Sequence, residues 1–303
     1  MDNLGDIRLF VEAAQLGGLS LAGRKLGLSP AAASARLHKL ESSLATRLFE
    51  RTTRQLRLTD EGRLYLEHCR QALQALDDAR AALSAEKNEI RGKIRISATS
   101  DFGRHVLNPW LDEFTARYPQ VVPALQLSDS LSHLIADDVD LVIRFGVPPD
   151  SSLIARPLAD NRRVLCAAPG YLARKGTPDH PRQLADFDHI VAGQSGWSNE
   201  WRLQRGVEEV LFKVPLEAAR ETNDGALARQ WAVDGHGIVL KSVWDVAADL
   251  TAGRLIRLMP EWQTAEAPVH ALYPRSRYLA PRVRALLDFL RERFEQASGQ
   301  MPC

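Results

Sequence analysis

Cysteine is scarce in this chain: Cys69, Cys166 and Cys303 are odd in number and far apart. They make neither a disulfide framework nor a Cys-x-x-Cys zinc knuckle, and a reduced, cytoplasmic setting is expected. Long apolar runs are missing, since none approaches the ~18–20 residues that a membrane helix needs. The stretch Met1-Asp2-Asn3-Leu4-Gly5-Asp6 is acidic and holds no apolar signal core, so export is not expected. Excess charge is missing too: 39 basic against 38 acidic residues leave +1 over 303 residues. A polyanion-binding surface therefore has to be local. Signatures of catalysis are also missing. Gly193-Gln194-Ser195-Gly196 is no nucleophile elbow, because its second glycine comes one residue early. There is no phosphate loop, Gly-x-Gly-x-x-Gly or His-Glu-x-x-His, and the eight histidines are scattered. No catalytic residue, metal site or cofactor is expected. A content of 45% hydrophobic and 25% charged residues is that of a globular protein, with room for two or three domains.

Residues 1–60 read as short helices. Leu4, Ile7, Phe10, Val11 and Ala14 recur at helical spacing, and Gly17-Gly18 ends that helix. Ser20 is expected to cap a second helix, Leu21–Leu26. Ser29-Pro30 is an N-cap followed by proline at the first helical position, which starts a third helix running to about Leu44. Residues 48–58 alternate as a short hairpin. From 63 to 88 there is neither proline nor glycine. Tyr65, Cys69, Ala72, Leu76, Ala79 and Leu83 follow alternating spacings of four and three, a seam about three heptads long. The seam fits either packing on the same chain or, with no other helical partner nearby in sequence, pairing of two chains. Beyond Arg91, strands at 93–98, 122–127, 140–145, 164–168, 190–192, 238–240 and 269–273 alternate with helices at 103–118, 225–233 and 281–295. That pattern predicts a parallel α/β architecture.

The second and third helices have helix-turn-helix dimensions. In the third, Ala33, Leu37, Leu40 and Leu44 share an inward face. The opposite face carries Ala31, Ala35, His38 and Ser42, flanked by Ser34, Arg36 and Lys39. Small residues admit close approach to a major groove, while hydroxyl, imidazole and cations reach base edges and phosphates. Local charge supports this reading. Residues 1–57 hold nine Lys/Arg against five acids, whereas 59–89 hold four against seven. Arg51, Thr52, Thr53 and Arg54 fall at the hairpin tip, where a wing would touch sugar-phosphate.

These segments resemble the LysR-type transcriptional regulators. The resemblance is carried by Leu9-Phe10-Val11-Glu12-Ala13-Ala14, Leu19-Ser20-Leu21-Ala22, Leu26-Gly27-Leu28-Ser29-Pro30, Leu48-Phe49-Glu50-Arg51 and Leu58-Thr59-Asp60-Glu61-Gly62. It extends through Asp140-Leu141-Val142-Ile143-Arg144-Phe145-Gly146, Ala155-Arg156-Pro157-Leu158, Ala168-Pro169-Gly170-Tyr171-Leu172 and Gly253-Arg254-Leu255. It implies an α/β protein with an N-terminal all-α winged helix-turn-helix (1–58), a linker and dimerisation helix (59–89), and an effector-binding domain (90–303). That last domain would be two-lobed and of periplasmic-binding-protein type 2, with lobe one at 91–161 and 268–300 and lobe two at 162–267. The implied partners are double-stranded DNA, a small-molecule effector, a second copy of the chain with tetramers or larger assemblies beyond it, and RNA polymerase; no membrane is involved. The expected DNA-contacting set is Ser29, Pro30, Ser34, Arg36, His38, Lys39, Arg51, Thr52, Thr53 and Arg54. One departure stands out. The family's recognition helix often has arginine directly after the serine that matches Ser34, and here that residue is Ala35, leaving Arg36 or His38 to replace a base contact.

Ligands of open α/β sheets bind beyond the carboxyl ends of strands. Three such ends are readable: Thr99-Ser100-Asp101, Ser128-Asp129 and Asn223-Asp224. The resemblance places the family's inducer site there. Hydroxyls and free amides at a helix start can hold an anion. Arg144 would either neutralise an effector carboxylate or form a structural ion pair. Asp101 and Asp129 oppose a simple anion pocket and fit equally as helix caps. Trp197 and Trp201 fit as a cover for the cleft or as core. Two other classes stay open at this point: an enzyme or solute-binding protein built on the α/β part alone, and a DNA-binding regulator without a ligand.

Overall fold

The structure is a computed structural model that describes residues 3–50, 56–84, 90–130, 139–146, 153–193, 199–274, 279–299 and 301; the side chains of 74, 77, 78 and 80–84 are outside the description. The chain divides into two compact units, Met1–Asn88 and Glu89–Cys303.

In the first unit, α1 (Leu4–Leu16) starts on Asn3, whose side chain accepts from the Gly5 amide at 2.9 Å, and stops at Gly17 in the left-handed region. Helix α2 (Leu19–Lys25) begins earlier than the sequence predicts. Its cap is Gly18 rather than Ser20, because extended backbone at Gly18 turns the chain straight back into helix. Helix α3 (Pro30–Ser43) begins as predicted, with Ser29 Oγ accepting from the Ala32 amide at 3.2 Å. Strands β1 (Phe49–Glu50) and β2 (Arg57–Leu58) pair antiparallel and lead into α4 (Asp60–Ser84). Leu9, Phe10, Ala13, Ala33, Leu37, Leu40, Leu48 and Phe49 make the core.

The seam on α4 is divided, which corrects the expectation of one continuous pairing surface. Cys69 is buried and Tyr65 packs against the same core, the Tyr65 ring lying 5.6 Å from Phe10. Helix α1 is thus the partner of the first turns of α4. Ala72, Leu76 and Ala79 are exposed, and the side chain of Leu83 lies outside the described residues.

Among the described residues the second unit holds two five-stranded sheets. The first runs β4-β3-β5-β14-β6, built from β3 (Gly92–Ala98), β4 (Val121–Leu127), β5 (Leu141–Phe145), β6 (Leu153–Ala159) and β14 (Val269–Pro274). The second runs β11-β8-β12-β7-β13, built from β7 (Arg163–Ala167), β8 (His189–Ala192), β11 (Arg220–Thr222), β12 (Ile238–Ser242) and β13 (Ile256–Arg257). Neither sheet is purely parallel. Strand β14 runs antiparallel to β5 and β6, and β12 and β13 run antiparallel to β7. Strand β3 runs parallel to β4 and β5, and β8 runs parallel to β11 and β12. A hairpin of β9 (Glu200–Arg205) and β10 (Glu208–Lys213) lies outside both sheets.

The first lobe packs helix α5 (Ser100–Phe102), a π turn (Gly103–Leu107), α6 (Asn108–Arg117) and α10 (Pro281–Ser298) on its sheet, with Phe102 stacked on Phe294 at 5.8 Å. The second carries α7 (Pro169–Lys175), α8 (Gly225–Val233) and α9 (Val243–Thr251). The chain crosses between the sheets twice. The two crossings lie side by side, held by reciprocal 2.8 Å bonds between Asn161 and Ala267. Trp244 at the start of α9 reaches into the first lobe's core, 4.8 Å from the Phe294 ring. Trp201 is buried in the second lobe's core, which decides against a covering role; Trp197 lies outside the described residues.

Candidate functional site

Two surfaces carry the chemistry. On α3, alternation between core and solvent leaves Ser29, Pro30, Ala31, Ser34, Ala35, His38, Lys39 and Ser42 exposed, while Ala33, Leu37 and Leu40 are buried. Arg36 is partly committed elsewhere. Its Nε lies 3.7 Å from the buried carboxylate of Asp6 on α1. Of the two side chains expected to replace an arginine at position 35, His38 therefore stands on the open face and Arg36 leans back on the scaffold.

Glu41, which belongs to the Leu40-Glu41 pair of the family pattern but had no role assigned from sequence, fixes the hairpin to this helix. Its carboxylate is buried and accepts from the amides of Leu48 (2.8 Å) and Phe49 (3.3 Å). Thr59 completes the anchor, accepting from the Gly62 amide at 2.9 Å and donating to the Arg47 carbonyl at 2.8 Å. A Cβ at Gly62 would stand 2.1 Å from the Leu48 carbonyl oxygen, so only glycine lets α4 start this close to β1. Arg51, Thr52, Thr53 and Arg54, the expected wing contacts, lie outside the described residues.

In the second unit a cleft of about 230 Å³ is lined by Ser100, Arg104, Leu127, Ser128, Asp129, Ser130, Asn223 and Asp224. The three strand ends picked from sequence thus meet, although they lie up to 125 residues apart in the chain. Arg104, Leu127 and Ser130 were missed. Arg104 was findable, standing one helical turn beyond Ser100.

The remaining expected members are placed elsewhere. Asp101 is buried beneath the cleft, 2.8 Å from Lys241 Nζ, 2.9 Å from His105 Nδ1 and 3.9 Å from Arg229. Burial and the nearby Asp245 raise its carboxyl to about 6 against the pull of Lys241 and Arg229. Burial disfavours the Lys241 charge, but Asp245 at 2.8 Å together with Asp101 holds its pKa above the ordinary lysine value. This cluster joins the first lobe to the second. Thr99 is the cap residue of α5, its hydroxyl buried and making no bond among the described residues. Arg144 neither lines the cleft nor forms an ion pair among the described residues. It is buried, donates to the Ile143 carbonyl (2.9 Å) and to Ser97 Oγ (3.0 Å), and burial lowers its pKa to about 10 against the charge of Asp129. Arg144 is thus outside the lining and has no ion-pair contact among the described residues, although its charge acts on Asp129.

The acids behave as caps. Asp224 Oδ1 accepts from the amides of Ala226 (2.9 Å) and Leu227 (3.3 Å) and meets Arg104 at 3.2 Å. Burial opposes its charge, yet the nearby Ser100 hydroxyl, these amide bonds and Arg104 keep its pKa below the usual carboxylate range. Asp129 accepts from Ser100 and Gly225. The amides expected to receive an effector anion are therefore filled by the chain's own carboxylates.

A winged helix-turn-helix unit, an extended helix and a two-lobed α/β unit with a polar inter-lobe cleft define the class of ligand-responsive transcription regulators. Residues 4–63 match the bacterial regulatory helix-turn-helix proteins of the lysR family, and residues 87–295 match the LysR substrate binding domain. The chain belongs to the LysR family of DNA-binding transcription regulators, and its relatives are regulators rather than enzymes. It is 35% identical over 98% of its length to a helix-turn-helix transcriptional repressor of Pseudomonas aeruginosa, of which 93% is covered. It is 33% identical over 97% of its length to the regulator DmlR of Escherichia coli, of which 95% is covered. The solved structure of CrgA from Neisseria meningitidis is similar at a TM-score of 0.62 and 31% identity, covering 97% of this chain and 99% of that one. No helix among the described residues is long and apolar enough to cross a membrane.

Proposed function

We propose that two copies of this chain pair through α4 and read two half-sites of a partly palindromic operator. In this reading Ser29, Pro30, Ser34, His38 and Lys39 enter the major groove, Arg36 steadies α1 while reaching phosphate, and Arg51, Thr52, Thr53 and Arg54 track the sugar-phosphate backbone. Ala72, Leu76, Ala79 and Leu83 form the pairing seam. A small polar effector sits between the lobes near Ser100, Ser128, Asp129, Asn223 and Asp224. It shifts the arrangement of assembled dimers on DNA by binding one arrangement more tightly than the other. No cofactor takes part. The regulator works in the cytoplasm, its dimers join into tetramers, and the DNA-bound assembly acts on RNA polymerase.

The observation that carries this reading is the open face of α3: small residues with His38 and Lys39, backed by a buried apolar face and braced by Glu41 against the hairpin. The test is a genomic footprint of the full chain, followed by gel retardation with the fragments recovered. Discrete sites built of paired half-sites support the reading. Uniform coverage without preferred sites would remove it.

A further inference from the structure

Three donors from two lobes converge on one carboxylate that belongs to the protein. The Ser100 amide donates to Asp129 Oδ1 at 2.8 Å, the Ser100 hydroxyl to Oδ2 at 2.5 Å, and the Gly225 amide to the same Oδ2 at 2.7 Å. Ser100 and Asp129 follow strands of the first sheet, whereas Gly225 opens α8 of the second lobe. The carboxylate is therefore a bridge across the cleft, more than a cap within one lobe. The Ala226 amide closes the ring by donating to Ser100 Oγ at 3.3 Å. Space is tight: a Cβ at Gly225 would lie 3.4 Å from Asp129 Oδ2 and 3.1 Å from Lys241 Nζ. Glycine there lets the backbone amide reach the carboxylate.

The geometry points to Asp129 as a tethered anion that fills the anion place of the effector cleft, so that the cleft refuses free carboxylates and selects a neutral or cationic molecule rich in hydrogen-bond donors. This rests on the reading of the cleft as the effector site. Bonds to an ionised acceptor are roughly twice as strong as neutral ones. A carboxylate tethered a few atoms away also competes at an effective concentration in the millimolar range or above. A free carboxylate would have to displace it. Among the described residues the rest of the cleft offers no better anchor. Asp224 brings a second negative charge to the lining, and Arg104, the one guanidinium among the lining residues, is engaged by Asp224 at 3.2 and 3.3 Å. Arg144, whose charge acts on Asp129, is held against Ser97 and does not line the cleft. An incoming carboxylate meets two like charges, whereas an ammonium or a polyol meets acceptors.

The test is chemical rescue in the full-length chain, read by hydrogen exchange at the Ser100 and Gly225 amides with sodium acetate as probe and sodium chloride at equal ionic strength as control. In the wild type both amides should be protected, and acetate should change neither their exchange nor the unfolding temperature. Asp129→Ala empties a space shaped for one carboxylate. Exchange at both amides should quicken by about tenfold or more, acetate should restore protection, and chloride should not. Asp129→Asn fills the space without the charge; it should speed exchange and give no acetate recovery. The proposal is overturned if acetate protects these amides in the wild type, if Asp129→Ala leaves them protected, or if acetate fails to restore that variant. Retardation of operator DNA by the same samples reads the regulator function separately. Loss of acetate rescue with DNA binding intact removes only the proposal about Asp129, and rescue without DNA binding removes only the regulator reading.

Discussion

Removing Glu41 should loosen the DNA-binding unit in a way that can be read apart from the rest of the chain. In Glu41→Ala the Leu48 and Phe49 amides lose their acceptor while remaining buried. A hydrogen bond to a charged group contributes about 1.5–3 kcal/mol, and a buried amide left unpaired costs about 1–3 kcal/mol. The 2.8 Å bond carries most of this and the 3.3 Å bond less, so a loss of about 3 kcal/mol is expected. Glu41→Gln keeps one carbonyl acceptor and should lose about 1 kcal/mol. The assay uses the distribution of tryptophan. All six tryptophans follow residue 109, so their fluorescence reports the second unit, while circular dichroism reports the helices of both. Glu41→Ala should move a part of the dichroism transition to lower urea and leave the fluorescence transition in place. A shift worth less than about 1 kcal/mol, or an equal shift of both signals, would refute the role given to Glu41.

Two further outcomes follow from the same unit. Ala45 closes α3 at φ +50°, with the Thr46 amide on the Glu41 carbonyl at 3.0 Å, a helix ending normally served by glycine. Ala45→Gly should stabilise the unit by about 1 kcal/mol, since a left-handed backbone costs an alanine roughly 1–2 kcal/mol, measured in the same urea titration. Leu76→Glu alters a side chain that is 41% exposed in the single chain, so it should leave the fold of one chain intact. It should convert dimer to monomer in sedimentation, because burying an unpaired charge costs several kcal/mol; a fully dimeric variant would contradict the seam.

Local signals in the sequence were readable because they are set by neighbours in the chain. Ser29-Pro30 starts a helix whatever surrounds it, and Asp224 before Gly225 marks α8 to the residue. The divided seam on α4 was not readable, because a spacing of four and three describes an apolar stripe without saying what covers it. Tyr65 and Cys69 meet α1, whereas Ala72 and Leu76 meet solvent. Strand direction was illegible for the same reason, since β14 joins its sheet from more than a hundred residues away. At the cleft, the strand-end rule found Ser100, Asp129 and Asp224, but which amides their side chains would take depended on lobes 96 residues apart closing on one another. Arg144 reads in sequence as a cation for an effector or an ion pair, but its place against Ser97 and outside the lining was not legible.

The central claim, that the open face of α3 reads DNA, is tested most directly by the affinity of the full chain for a footprinted genomic fragment across a range of salt. For about 6–10 phosphate contacts per dimer the log–log slope should lie between roughly −5 and −9. Lys39→Ala in both copies should flatten it and weaken binding to all sequences alike. His38→Ala should instead cut the preference for the site over random DNA by about tenfold, the worth of a lost base contact. Wild-type binding that ignores salt, or an affinity for the footprinted fragment equal to that for random DNA, would contradict the account.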